Sequence, residues 1–199
     1  MINSTLKTNE LDEIKTWSFK LVKNAGLLLA SFPKNHMNTK HKGDIDLVTD
    51  ADLECERYLI SAIKEKFPDH SILSEEKGSS YQNSPYCWII DPIDGTTNYS
   101  RGLPFYGISF ALAYYDEVIF GIVHAPELHM FFHAEKGKGS YLNMQPINVS
   151  SNTQINSSFL VTGFPYTMRC SDRDNIDLFR RFSKISLAVR RLGSASLDF

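Results

Sequence analysis

The 199-residue sequence is short of most features that assign a protein at a glance. Its three cysteines, Cys55, Cys87 and Cys170, are odd in number and form no C-x-x-C pair. That excludes a small disulfide-stapled scaffold, and each thiol reads as a small buried hydrophobe. Charge of either sign is not in excess: 21 Lys+Arg face 23 Asp+Glu, for a net charge of −2. Nothing in that balance supports nucleic acid or an anionic membrane surface as a partner. Long apolar runs are missing too. The stretch Ala25–Ala30 is far too short to span a bilayer, and the N-terminus MINSTLKTNELDEIK has no signal-peptide core. A cytoplasmic protein is expected. The histidines at 36, 41, 70, 124, 129 and 133 show no nucleophile pattern. His129 and His133 are four apart, but in a strand context that spacing forms no helical metal pair.

What is present is ordinary globular material, 42% apolar and 12% aromatic. Leu11, Ile14, Leu21, Ala25, Leu28 and Phe32, widened by Val22 and Leu29, predict a helix over 10–32, ended by Pro33. Residues 34–44 are polar and basic and read as a loop or mobile hairpin. Lys40 and Lys42 within it are solvated charges or groups that approach a phosphate. Leu59, Ile63 and Phe67 predict a second helix from about Thr49 to Phe67, with Pro68-Asp69 as its stop. Strands follow at Ser71–Ser74, Tyr86–Ile90, Tyr106–Tyr115, Val118–His124 and Leu128–Ala134. Their short connections imply antiparallel neighbours. Lys136-Gly-Lys-Gly139 is a turn leading into Tyr141-Leu142, and Tyr114-Tyr115 and Phe131-Phe132 read as sheet-face residues. Beyond Ser150-Ser-Asn-Thr153 the pattern becomes a strand at Phe159–Thr162, a helix at Asp172–Phe182 and a strand at Ile185–Val189. A helix then opens at Gly193-Ser194. The expected division is residues 1–150 as an α+β region and 151–199 as an incomplete C-terminal α/β region, the chain stopping at Ser-Leu-Asp-Phe199 in mid-element.

The chemistry is densest in Trp88-Ile-Ile-Asp-Pro-Ile-Asp-Gly-Thr-Thr-Asn98. An apolar strand delivers Asp91 to its end, where Pro92 is expected to stop the ladder. Asp94 follows three residues on. A turn can aim Asp91, the Ile93 carbonyl and Asp94 at one point, oxygen-only ligation that suits Mg²⁺. Gly95-Thr96-Thr97 offers close backbone approach and free N–H groups for a phosphate. The same Asp-Pro-x-Asp-Gly is also good turn chemistry, with Asp94 as a plain helix cap. Two further acidic sites accompany it. Ser74-Glu75-Glu76 closes a short strand, either as a metal-facing acid beside a solvated one or as an exposed pair. In Asp46-Leu-Val-Thr-Asp-Ala-Asp52, Thr49 and Asp52 fit a capping box. A capping role and a role orienting a hydroxyl or water compete for the Asp52 side chain.

These residues together resemble the inositol monophosphatase family of Mg²⁺-dependent, lithium-sensitive phosphatases. The likeness rests on Glu75-Glu76, Trp88 through Tyr99, Asp46 through Asp52, and Lys136-Gly-Lys-Gly-Ser-Tyr-Leu-Asn143 in consistent order. It runs from the first helix to Arg191-Leu-Gly-Ser-Ala195. The resemblance implies a layered α/β/α/β sandwich of the α+β class, an antiparallel N-terminal sheet followed by the incomplete α/β unit. It implies a first Mg²⁺ held by Glu75, Asp91 and the Ile93 carbonyl, and a second held by Asp91 and Asp94, with Glu75 assisting a third. It gives Asp52 and Thr96 the attacking water, and the Gly95 and Thr96 amides the phosphate, beside Ile93.

The sequence also departs from the family, whose members carry a Trp-Asp motif well after the Gly-Ser-Ala segment. This chain has only Trp17 and Trp88, and Asp198 does not match that position. The second metal site therefore lacks a ligand and the substrate wall is missing, about a quarter of the family length. The expected function is Mg²⁺-dependent hydrolysis of inositol monophosphate or a related sugar phosphate, impaired by the shortened C-terminus, with a second copy of the chain as a candidate partner. The alternative is an inactive truncated paralogue with a partial metal site. A haloacid-dehalogenase reading of Asp94-Gly-Thr96 fails, because that motif needs acids two apart and these are three apart. Thr97-Asn98-Tyr99 looks more like the inositol and sugar phosphatase branch than the nucleotidase branch.

Overall fold

The computed structural model describes residues 8–32, 39–41, 47–165 and 174–199. Asp46, Lys42, His36, Pro33 and Cys170, all named above, lie outside them.

Helix α1 (Thr8–Ser31) buries Ile14, Leu21, Val22, Ala25 and Leu29, the stripe its periodicity predicts. Short strands β1 (Thr39–His41) and β2 (Leu47–Thr49) pair antiparallel, the hairpin alternative for this segment. Helix α2 (Asp50–Lys66) begins at Thr49, where the expected capping box forms with Asp52. Acids Asp50 and Asp52 sit in its first turn and Lys64 and Lys66 in its last, each complementing the helix dipole.

The central sheet has eight strands. They are β3 (Ser71–Ser74), β4 (Gly78–Ser80), β5 (Tyr86–Asp94), β6 (Gly107–Tyr114), β7 (Glu117–Ala125), β8 (Met130–Glu135), β9 (Gly139–Leu142) and β10 (Gln145–Ile147). Their spatial order is β10-β9-β8-β7-β6-β5-β3-β4. The antiparallel expectation fails at one pair: β3 and β5 run parallel. β4 folds back on the outer edge of β3, so the chain re-enters the sheet on the other side of β3 in its original direction. Tyr115, expected on a sheet face, instead lies in the β6–β7 turn at φ 52°.

Pro92 does not end its strand. β5 continues to Asp94, but the ladder with β6 jumps from Asp91↔Ser109 to Asp94↔Gly107. On the other side, β3 has already stopped opposite Ile90. Pro92 thus sits in an irregularity where no ladder N–H is demanded of it.

Helices α1 and α2 pack on each other and on one face of the sheet, against Ile108, Phe110 and Leu112. Trp88 is fully buried there, edge-on to Trp17, and donates its Nε1–H to His70 Nδ1 at 3.1 Å. A side chain at Gly26 would place its Cβ 2.6 Å from His124 Nε2, so glycine is what lets α1 lie this close to β7.

After a 3₁₀ turn (Ile155–Ser157), β11 (Phe159–Val161), α4 (Ile176–Ile185) and β12 (Ala188–Arg190) form the expected strand–helix–strand unit, its two strands parallel. Ile185 ends the helix rather than starting the strand. Short helix α5 (Ala195–Asp198) rests on β6 and β7. It lies on the face away from α1, where Leu197 and Phe199 share a groove with Ser109, Ala111 and Val123. Among the described residues, no helix is long and apolar enough to cross a membrane.

Candidate active site

The parallel pairing of β3 with β5 builds the acidic centre. Ser74 pairs with Ile90, and the Glu75 N–H donates to the Ile90 carbonyl at 3.1 Å. Glu75 and Asp91, each one residue further along its strand, come together and hydrogen-bond through their side chains. Burial first, then the Glu75 carboxylate and Asp94, push the Asp91 acid up to about 9. Asp91 Oδ1 also accepts the Ile93 N–H at 3.1 Å.

This donor set fits a hard divalent cation. Glu75, Asp91 and the Ile93 carbonyl supply oxygen alone, and their mutual repulsion is what a cation relieves.

Asp94 behaves differently. Its carboxylate accepts from Ser194 Oγ at 2.7 Å, Ala195 N–H at 3.2 Å and Ser196 N–H at 2.6 Å. It caps the start of α5, a partner distant in sequence. Among the described residues, no three His, Cys, Asp or Glu side chains converge as a ready metal cluster. Asp94 is close enough to raise Asp91 electrostatically, yet its hydrogen bonds point toward α5. Asp198 lies near as well: burial and the Asp94 charge raise its acid, while Arg191 opposes the shift.

The rivalry expected at Asp52 does not arise, because its two oxygens divide the roles. Oδ2 accepts the Thr49 N–H at 2.8 Å and the Thr49 hydroxyl, completing the helix cap. Oδ1 accepts the Thr96 hydroxyl at 3.0 Å. Burial raises the Asp52 acid, and these hydrogen bonds partly oppose that. Thr96 Oγ1 is also 2.9 Å from the Ile93 carbonyl. One hydroxyl proton serves one acceptor at a time, so Thr96 links the Asp91–Ile93 turn to Asp52.

Gly95 adopts φ +95° at the start of helix α3 (Thr96–Ser100). A Cβ there would meet the Phe105 and Gly193 carbonyls at 3.1 and 3.2 Å, so strain and space both demand glycine. Gly95, the N-cap residue of α3, has no side chain with which to cap it. A cleft of about 370 Å³ opens beside Asp94, lined by Thr162, Gly163, Arg191, Ser194 and Asp198.

Three contributors escaped the sequence reading. Asn98, nearly buried, donates from Nδ2 to the Phe105 carbonyl at 2.7 Å and to the Leu192 carbonyl at 2.8 Å, binding α3 to the C-terminal segment. Ser194 holds Asp94. Glu56 is a wholly buried acid on α2. Only Glu56 carried a signal, a charge set on the apolar stripe of Cys55, Leu59 and Ile63. The histidine spacing forms no metal pair: His129 lies in the β7–β8 turn at φ 54°, while His133 stacks on Tyr141.

The family model described as "Inositol monophosphatase family" matches residues 10–199. The chain is 36% identical over 191 residues to an inositol-1-monophosphatase of Synechocystis, covering 94% of this chain and 67% of the relative. It is 36% identical over 184 residues to a putative Nus factor SuhB of Neisseria meningitidis, covering 91% of this chain and 70% of the relative. A solved Thermotoga maritima IMPase superposes with a TM-score of 0.84 at 34% identity, covering 94% of this chain and 70% of that one. The chain belongs to the inositol monophosphatase family, a family of phosphoric monoester hydrolases. It spans about two thirds of these relatives' length.

Proposed function

We propose that this chain hydrolyses inositol monophosphate or a closely related sugar phosphate with Mg²⁺ as cofactor. The observation that carries the reading is the meeting of Glu75, just past the end of β3, with Asp91 on the parallel strand β5, and of Thr96 with Asp52. Glu75, Asp91 and the Ile93 carbonyl are the groups that would hold the cation. Bound there, Mg²⁺ lowers the pKa of a water and neutralises charge on phosphoryl oxygens.

The remaining work falls to the protein. The Thr96 hydroxyl donates a hydrogen bond to Asp52 Oδ1, which turns the hydroxyl lone pairs outward to the attacking water; as the water attacks, its proton passes to Thr96 while the Thr96 proton passes to Asp52 Oδ1. Burial makes Asp52 the better proton acceptor. The water oxygen bonds to phosphorus, the ester P–O bond breaks, and the departing alkoxide takes a proton from a solvent water, the hydroxide left behind being neutralised by the proton that Asp52 releases. Gly95 and Thr96 N–H groups orient the phosphate, and the cleft with Arg191 beside Asp94 receives the polyol.

A second reading, an inactive chain with a partial metal site, draws on the engagement of Asp94 by α5. Phosphate release from inositol monophosphate, measured with and without Mg²⁺, separates the two. Release that needs Mg²⁺ and is lost in Asp91→Asn supports hydrolysis. No release above that variant supports the inactive reading.

A further inference from the structure

We infer that Glu56 is a positioning residue that aims Glu75 into the acidic centre, an inference that rests on the metal reading just given. Glu56 projects from the packed stripe of α2 and is fully buried. Its Oε1 accepts the Ser74 hydroxyl, the Glu76 N–H at 3.1 Å and the Lys77 N–H at 3.0 Å. Lys77 Nζ stands 3.7 Å from Oε2, which accepts no hydrogen bond from the described residues.

A carboxylate without water is costly unless donors hold it, so its choice of donors is informative. Among the described residues, all of them come from Ser74–Lys77, the segment that carries Glu75. They bracket that residue, with one contact before it and two after. The Glu75 N–H is itself fixed on Ile90. The backbone on both sides of Glu75 is thereby pinned, at a point where β3 has ended and β4 has not begun. Without Glu56 the turn between Ser74 and Gly78 would keep its Ile90 hydrogen bond and its pairing with β4 but lose the contacts that flank Glu75, and Glu75 would lose its fixed heading toward Asp91. An apolar residue at 56 would suit the helix stripe but leave a hydroxyl and two N–H groups unpaired. Glu56 touches neither substrate nor cation. It acts through the loop.

The test is isothermal titration of Mg²⁺ into the 199-residue chain and its variants, alongside amide hydrogen exchange over 74–78. Glu56→Ala is expected to weaken Mg²⁺ binding by at least ~10-fold and to speed exchange at Glu76 and Lys77. Glu56→Gln keeps an oxygen for the same donors and should stay within about threefold of the parent. Leu59→Ala, a buried change on the same helix that does not reach the loop, should keep Mg²⁺ affinity despite a lower melting temperature. Ser74→Ala removes one donor and is expected to weaken binding about threefold, which carries the test if Glu56→Ala does not fold. Parent-like Mg²⁺ affinity in both Glu56→Ala and Ser74→Ala, or equal weakening by Leu59→Ala, overturns the role. Absence of Mg²⁺ uptake by the parent chain overturns the metal reading itself and this inference with it.

Discussion

The Ser194 hydroxyl donates to Asp94 Oδ2 at 2.7 Å across 100 positions of sequence. With the Ala195 and Ser196 N–H groups it makes Asp94 the anionic cap of α5. A cation that draws on Asp94 must compete with those donors. Ser194→Ala is therefore expected to lower the Mg²⁺ concentration needed for a second binding phase, by about threefold to tenfold, while costing ~1 kcal/mol of stability. Calorimetric titration and a denaturant melt read the two effects. An unchanged second phase contradicts competition for Asp94.

Thr96 is expected to be irreplaceable by an isostere without the hydroxyl. Thr96→Val removes the donor to Asp52 Oδ1 and, with it, the hydroxyl proposed to take the proton of the attacking water. Phosphate release should fall by on the order of 10²-fold, with stability lowered by about 1 kcal/mol. Thr96→Ser should retain most activity. Equal loss in both variants would show that packing at this position, and not the proton, is what counts.

The Asp91 acid gives a pH signature. Its pKa is raised on folding from 3.8 to about 9 by burial and by Glu75. Between those values the folded state holds a proton that the unfolded state has released. Stability must then fall as pH rises through that window, the penalty being absent below the unfolded pKa. Metal-free protein is expected to lose stability from about pH 4 towards pH 9 more steeply than Asp91→Asn. Added Mg²⁺ should stabilise the parent more as pH increases. Parallel curves for parent and Asp91→Asn, from thermal melts across pH, would remove the acid pair as the cause.

Gly95→Ala tests the turn that feeds α3. The backbone there is at φ +95°, and the new Cβ would stand 3.1 Å from the Phe105 carbonyl. A loss of about 1–3 kcal/mol is expected in chemical denaturation. A change below about 0.5 kcal/mol would mean that the turn relaxes freely.

Features set by nearby residues were legible in the sequence. The capping box at Thr49 and Asp52 spans three positions and marks the start of α2 correctly. The stripe in α1 and the apolar run into Asp91 likewise declare themselves by period and burial. Features set by returning chain were not. The parallel β3–β5 pair depends on β4 taking the outer edge of β3, which no local pattern records. Asp94 reads as a metal ligand from its neighbours, and its hold on Ser194 depends on how the C-terminal segment comes back. The missing N–H of Pro92 implies a strand end only when the partner demands that N–H, and the sheet leaves the position out of the ladder. The two uses of Asp52 are compatible because a carboxylate has two oxygens, and which partner each one meets depends on where α3 packs.

Phosphate release from inositol monophosphate as Mg²⁺ is titrated, in the parent, Glu75→Gln and Asp91→Asn, decides whether Glu75 and Asp91 form one metal-dependent catalytic centre. The expected result is saturable release in the parent that disappears without Mg²⁺ and falls by at least ~10²-fold in each variant. Release that persists without Mg²⁺, or that survives in either variant, would contradict it.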